Sequence, residues 1–238
     1  MIFDSKKGTV YVILAGLFIT NAVVAELIGS KIVQFGPFIL SIGIIPWPIV
    51  FVTTDIINEY YGRSGVKKLS LITAGLIGYA FVILFFAIRV PAAAYPSIST
   101  VSDSQFSAVF GQGMLIIIGS LVAFLVSQFV DVFIFWMLRD RTGGRMMWLR
   151  STGSTVISQL VDTFIVGAIA FWLPGKWTTK IYLEASLTGY TFKLGIAILL
   201  TPMIYLAHKW IDKYLGDEAA HSLVKHTAEE SLHHQVKD

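Results

Sequence analysis

Cysteine is absent from the 238 residues, which excludes disulfides, thiolate metal sites and cysteine nucleophiles. Charge is scarce as well: 14% of residues are Asp, Glu, Lys or Arg, where soluble domains carry about a quarter. Histidine is confined to His208 and four positions in the last twenty residues, so no serine has a histidine partner and no zinc-protease pattern occurs. His233-His234 is too isolated for a metal site. No Walker motif is present, so direct ATP use would require another polypeptide. No cofactor is expected.

What remains is apolar. Residues of the hydrophobic class make up 55% and aromatics 13%, and the mean hydropathy is +0.72. These values define an integral membrane protein. A span needs about 20 apolar residues, and six stretches qualify: Val10 to Ile28, Ile39 to Ile57, Leu69 to Ile88, Met114 to Met137, Thr155 to Leu173 and Thr188 to Ile211. The first is too long for a signal peptide and lacks an Ala-x-Ala site. The expected fold is all-α, one six-helix transmembrane domain over residues 1–215, with a polar cytoplasmic tail over 216–238 that frays or lies on the membrane surface.

Basic residues alternate between the flanks. Lys6, Lys7, Arg63, Lys67, Lys68, Arg139, Arg141, Arg145, Arg150, Lys209 and Lys213 fall on one side; Lys31, Arg89, Lys176 and Lys180 fall on the other. The positive-inside rule then places both termini in the cytoplasm. The same distribution accounts for the pI of 9.0, and nucleic-acid binding is not expected. Pro46-Trp47-Pro48 in the second stretch either breaks a helix or starts one after a short interfacial segment.

The pattern Ser-Gln-x-Val-Asp-x-Phe-Ile occurs twice, at Ser127 to Ile134 and at Ser158 to Ile165, in consecutive stretches joined by a short basic loop. Two antiparallel spans would present it in opposite directions, an inverted internal repeat of the kind that builds transport sites. Steps of 100° per residue align Ser120, Ser127, Gln128 and Asp131 on one stripe, and Ser151, Thr155, Ser158, Gln159 and Asp162 on another. A carboxylate facing lipid costs about 2.5 to 3.5 kcal/mol on insertion scales, so both stripes face protein or water. Ser120, Ser151 and Thr155 read as interhelical hydrogen-bonding groups. The Gln and Asp pairs read as a binding site able to match a guanine-like ring edge. Asn21, Asp55 and Lys193 complete the substrate-binding candidates, with Lys193 expected to pair with one Asp. Glu59 and Arg63 are spaced for a helix-end salt bridge, with a gate as the other reading, and Glu26 near a helix end is free to reach water. Trp47, Tyr60, Tyr61, Phe124, Phe171, Trp172 and Tyr190 are the aromatics from which a stacking partner could come.

Several segments in this order resemble the queuosine-precursor transporter family, also called the vitamin uptake transporter family. They are Thr54-Asp55 with Glu59 and Gly62-Arg63, the Ser120 to Asp131 stripe, and Leu149-Arg150 followed by Ser154, Gln159 and Asp162-Thr163. Ala170-Phe171-Trp172 and Phe192-Lys193 complete the set. The resemblance runs from Asn21 to Pro202. It implies a six-helix protein of the bacterial inner membrane that imports 7-deazaguanine precursors of queuosine, chiefly 7-cyano-7-deazaguanine. Glu59, Arg63 and Arg150 would then stand at a gate or helix end. The alternative is a substrate-binding subunit served by a separate ATP-hydrolysing module. The partners expected are the small-molecule substrate and the lipid bilayer, with a homodimer as an allowed assembly.

Overall fold

The computed structural model describes residues 5–29, 31–36, 38–111, 114–142 and 146–235; Arg145 of the basic loop and the last three residues of the tail lie outside them. Helix α1 (Lys6–Ile28) starts at Ser5, whose side chain accepts from the Gly8 N–H, a standard N-cap. A small antiparallel hairpin follows, β1 (Ile32–Phe35) against β2 (Phe38–Ser41), with Ile32 opposite Ser41. The hairpin occupies the start of the second expected span. A single 3-10 turn, Ile42–Ile44, then leads into α2 (Trp47–Ala87). Pro46 is the N-cap of α2, so the two prolines start the helix and do not kink it.

Five helices among the described residues are long and apolar enough to cross a membrane, where the sequence predicts six. The difference lies in α2. Its 41 residues carry both the second and the third expected spans, and its helical geometry is interrupted at Gly62, with φ 74° and ψ −178°. That region of backbone space is essentially restricted to glycine. A straight helix of this length would measure about 60 Å, twice the hydrocarbon core.

Short α3 (Asp103–Phe110) opens with a capping box between Ser102 and Gln105. The long helices α4 (Met114–Thr142) and α5 (Met147–Gly167) follow, α4 ending on Arg139 and Arg141, which suit its dipole. The last turns of α5 loosen into a π-helical segment, Ala168–Trp172. Helix α6 (Thr179–Leu215), capped by Thr178, contains Pro202, and α7 (Asp217–Gln235) ends the described chain.

The core is organised around the first arm of α2, which is buried on nearly every side from Val50 to Tyr60. A helix enclosed all round is the centre of a bundle. Phe18 of α1, Phe124, Phe135 and Trp136 of α4 and Tyr60 of α2 are its fully enclosed rings. Helix α1 follows the first arm of α2: Tyr11 packs on Tyr61 with ring centroids 4.9 Å apart, and the Tyr61 hydroxyl donates to the Lys7 carbonyl at 2.7 Å.

The C-terminal segment docks instead of fraying. Ala220 and Thr227 of α7 are buried, and Thr227 Oγ1 donates to the Tyr60 carbonyl at 3.2 Å. Arg139 Nη2 reaches the Val224 carbonyl at 3.1 Å. The break at Gly62 makes room for this: a Cβ there would lie 2.8 Å from the Thr227 methyl. Tail docking and the α2 break are therefore one feature.

Candidate functional site

The two copies of the Ser-Gln-x-Val-Asp pattern meet. Ser158 Oγ donates to Asp131 Oδ1 at 3.1 Å, and Ser127 Oγ lies 3.5 Å from Asp162 Oδ1. The serine of each copy thus faces the carboxylate of the other, with residue numbers rising along α4 as they fall along α5. Gln128 and Gln159 are buried beside them, each 5% exposed, and Gln128 Oε1 has no hydrogen-bond partner. Both stripes face protein.

From this crossing a line of polar groups extends both ways. Toward the end of α5, Lys193 Nζ of α6 sits 2.7 Å from Asp162 Oδ2, which identifies Asp162 as the carboxylate that pairs with Lys193. Glu26 of α1 accepts from Ser120 and is an electrostatic neighbour of Asp162 and Lys193, so it joins this end and is not turned out to water. Toward the start of α5, Asp55 accepts from Ser151, and Glu59 Oε1 pairs with Arg150 Nη2 at 2.7 Å. Arg150 is 2% exposed and Glu59 5%, so this pair is enclosed by protein.

The Glu59–Arg63 bridge expected from i, i+4 spacing does not form. That spacing assumes a continuous helix, and the break at Gly62 falls between the two residues. Arg63 instead lies 3.9 Å from Asp140 and over the Trp136 ring at 5.3 Å. The Asn21 amide donates to the Leu17 carbonyl of its own helix at 2.8 Å. Asp55, Gln128, Asp131, Gln159, Asp162 and Lys193 share the polar line, while Glu59 and Arg150 close it at the α7 side.

Two buried features, the second of them a pairing, and one half-buried ring escaped the sequence reading. Asn58 is wholly enclosed, with neither end of its amide hydrogen-bonded. Its position three residues after Asp55 was a usable signal, since i and i+3 share a helix face. Tyr60 and His208 form the second: the Tyr60 hydroxyl lies 2.5 Å from Asp212 Oδ1 and 3.0 Å from His208 Nδ1. Pairing across 148 residues leaves no local pattern to read. The third is Trp177, whose ring stacks on Phe171 at 4.2 Å and 13°.

Phe171 and Trp177 wall a cavity of about 180 Å³ that also touches Thr163, Gly167, Ser186 and Lys193. The Ser186 hydroxyl is buried without a hydrogen-bond partner. The π-helical turn positions this wall, because it displaces Phe171 and Trp172 from the register of α5; such bulges recur at functional sites. Ligand pockets for drug-sized molecules run from about 300 to 1,000 Å³, and this one is smaller.

An all-α chain with several apolar spans, a continuous buried polar line and an aromatic-walled opening at one end of it has the layout of a membrane transporter. Known sequences agree. The family model described as "Putative vitamin uptake transporter" matches residues 41–207. The chain is 31% identical over 201 residues to a "Probable queuosine precursor transporter" of Bacillus subtilis, covering 82% of this chain and 85% of that one. It is 27% identical over 190 residues to the "Queuosine precursor transporter" of Escherichia coli, covering 74% and 76%. The chain belongs to the vitamin uptake transporter family, and is a multi-pass bacterial membrane protein that transports and does not catalyse. No solved structure matches it significantly.

Proposed function

We propose that the chain imports a 7-deazaguanine precursor of queuosine, with 7-cyano-7-deazaguanine the leading candidate, and reads its guanine-like edge at Asp162 and Lys193. The observation that carries this is that Lys193 both lines the Phe171 and Trp177 cavity and holds Asp162 at 2.7 Å. A guanine edge offers a carbonyl beside two N–H donors. The Lys193 ammonium matches the carbonyl, and the Asp162 carboxylate matches the ring N–H and exocyclic amine. Phe171 or Trp177 stacks on the ring face, and Gln159, one turn before Asp162, reaches the next position inward. Of the two carboxylates that sequence left open, the cavity favours Asp162.

The architecture supports a six-span reading in which the two arms of α2 each cross the bilayer and turn at Gly62. Arg63, Lys67 and Lys68 at that turn and Lys6, Lys7 and Lys209 elsewhere support a cytoplasmic side for it and for both termini by the positive-inside rule. The reciprocal Ser127–Asp162 and Ser158–Asp131 contacts support an inverted repeat centred on α4 and α5. Rocking of this pair against α1 and α2 would alternate access.

The test is thermal stability of the purified protein with 7-cyano-7-deazaguanine, guanine and adenine, followed by uptake into proteoliposomes containing this chain alone. A stabilising shift with the deazaguanine and none with adenine is expected, lost in Asp162→Asn and weakened in Phe171→Ala and Trp177→Ala. No shift with any purine in folded protein would refute the substrate. Uptake that appears only when an ATP-hydrolysing partner is added would replace an autonomous transporter by a binding subunit.

A further inference from the structure

Besides its aromatic rings, the Phe171 and Trp177 cavity is lined by three side chains that form hydrogen bonds, Thr163, Ser186 and Lys193. Two of them are engaged. Lys193 holds Asp162, and the Thr163 hydroxyl donates at 2.8 Å to the Gln159 carbonyl, one turn back on its own helix. Ser186 is the exception: it is 3% exposed, and its hydroxyl has no hydrogen-bond partner among the described residues. A serine or threonine inside a helix commonly returns its hydroxyl to the carbonyl four residues back, as Thr191 of the same helix does to Leu187 at 2.8 Å. Ser186 forgoes that bond. An enclosed hydroxyl left unpaired costs free energy, so a ligand that supplies the missing partner gains a bond without breaking another.

The two helices set this hydroxyl apart from the ion pair. Ser186 and Lys193 are two turns apart on α6, so they share a face with about 10 Å of helix rise between them. Helix α5 runs alongside in the opposite sense. Lys193 meets Asp162, Gly189 comes next to Thr163, and Ser186 stands beside Gly167, where a Cβ would lie 3.1 Å from the Ser186 oxygen. The cavity between them therefore has a charged end at Lys193 and Asp162 and a neutral end at Ser186 and Gly167.

We propose that Ser186 is the second anchor of the substrate, a specificity-determining residue whose oxygen accepts the pyrrole N–H of the deazaguanine while Asp162 and Lys193 hold the opposite edge. The assignment rests on the import reading above. It matches the two ends of the ring system to the two ends of the cavity. The six-membered ring presents a carbonyl beside N–H donors, which suit a cation and an anion side by side. The five-membered ring ends in one neutral N–H, and a hydroxyl accepts it without burying a further charge. Adenine carries a comparable ring N–H, so Asp162 and Lys193 tell the two bases apart. Ser186 selects instead for a five-membered ring whose nitrogen still bears its hydrogen.

Two ligands and one substitution test this. Affinity is measured calorimetrically on the purified full chain, wild type and Ser186→Ala, for 7-cyano-7-deazaguanine and for its analogue with a ring oxygen in place of the pyrrole N–H. Wild type should bind the analogue about ten-fold more weakly than the parent. Ser186→Ala should bind the parent about ten-fold more weakly than wild type does, and should no longer distinguish the two ligands. Equal affinity of wild type for both ligands, or of wild type and Ser186→Ala for the parent, overturns the role of Ser186 and leaves the import reading standing. If Ser186→Ala does not fold, the comparison of the two ligands on wild type decides alone. Folded wild type that binds neither ligand overturns the import reading and the Ser186 role together.

Discussion

Replacing Lys193 by methionine keeps most of the aliphatic stem and deletes the ammonium, leaving Asp162 with its charge but without its cation. Removing one partner of an enclosed pair costs about 3–5 kcal/mol. The Lys193 and Asp162 side chains retain 18% and 12% exposure, so water relieves part of this and the expected loss is about 2–3 kcal/mol. For a chain of this size each kcal/mol lowers the melting temperature by roughly 2–4 °C, which gives a fall of roughly 4–12 °C in a thermal melt. The double variant Lys193→Met/Asp162→Asn removes both charges, leaves a near-isosteric neutral pair, and should recover most of that fall. Lys193→Met melting within a degree of wild type, or a double variant as unstable as the single, would show that the 2.7 Å contact is not an ion pair that matters to the fold. Uptake measured beside stability should be lost in both, including the stable double variant.

The other perturbations follow the same logic. Arg150→Met should destabilise by about 3–5 kcal/mol, since it strands Glu59 in an enclosed position, and Glu59→Gln in the same chain should rescue the melt. Gly62→Ala should cost about 1–3 kcal/mol from backbone conformation alone, with a further loss from the 2.8 Å approach to Thr227 that Thr227→Ala relieves in a double-variant melt. Asn58→Leu should leave the melting temperature unchanged or raise it, because an unpartnered enclosed amide already costs about 1–3 kcal/mol, while uptake falls at least several-fold. A destabilised Asn58→Leu would show that its amide is engaged in the resting fold.

Much of the site was legible in the sequence because it rests on local periodicity. Ser127, Gln128 and Asp131 share a stripe by helical arithmetic, as do Ser158, Gln159 and Asp162, and their polarity at membrane depth forced them inward. Lys193 was legible for the same reason, as a cation at that depth requires a carboxylate. The Glu59–Arg63 spacing misled because one glycine between them leaves helical geometry, a change that residue spacing does not register. Trp177 and Phe171 went unpaired because their stacking depends on the π-helical turn and the chain reversal after it.

The sequence by itself determined the environment, the number of apolar stretches and which polar side chains had to be enclosed, since each follows from transfer free energy and the 3.6-residue repeat. The tertiary structure decided who pairs with whom. Whether Lys193 meets Asp131 or Asp162 and whether Arg150 meets Glu59 depend on how four helices register against one another. It also decided that α7 docks at the Gly62 break, through contacts such as Thr227 with Tyr60 that span 167 residues. Packing sets such contacts across the whole chain, and no local pattern carries them.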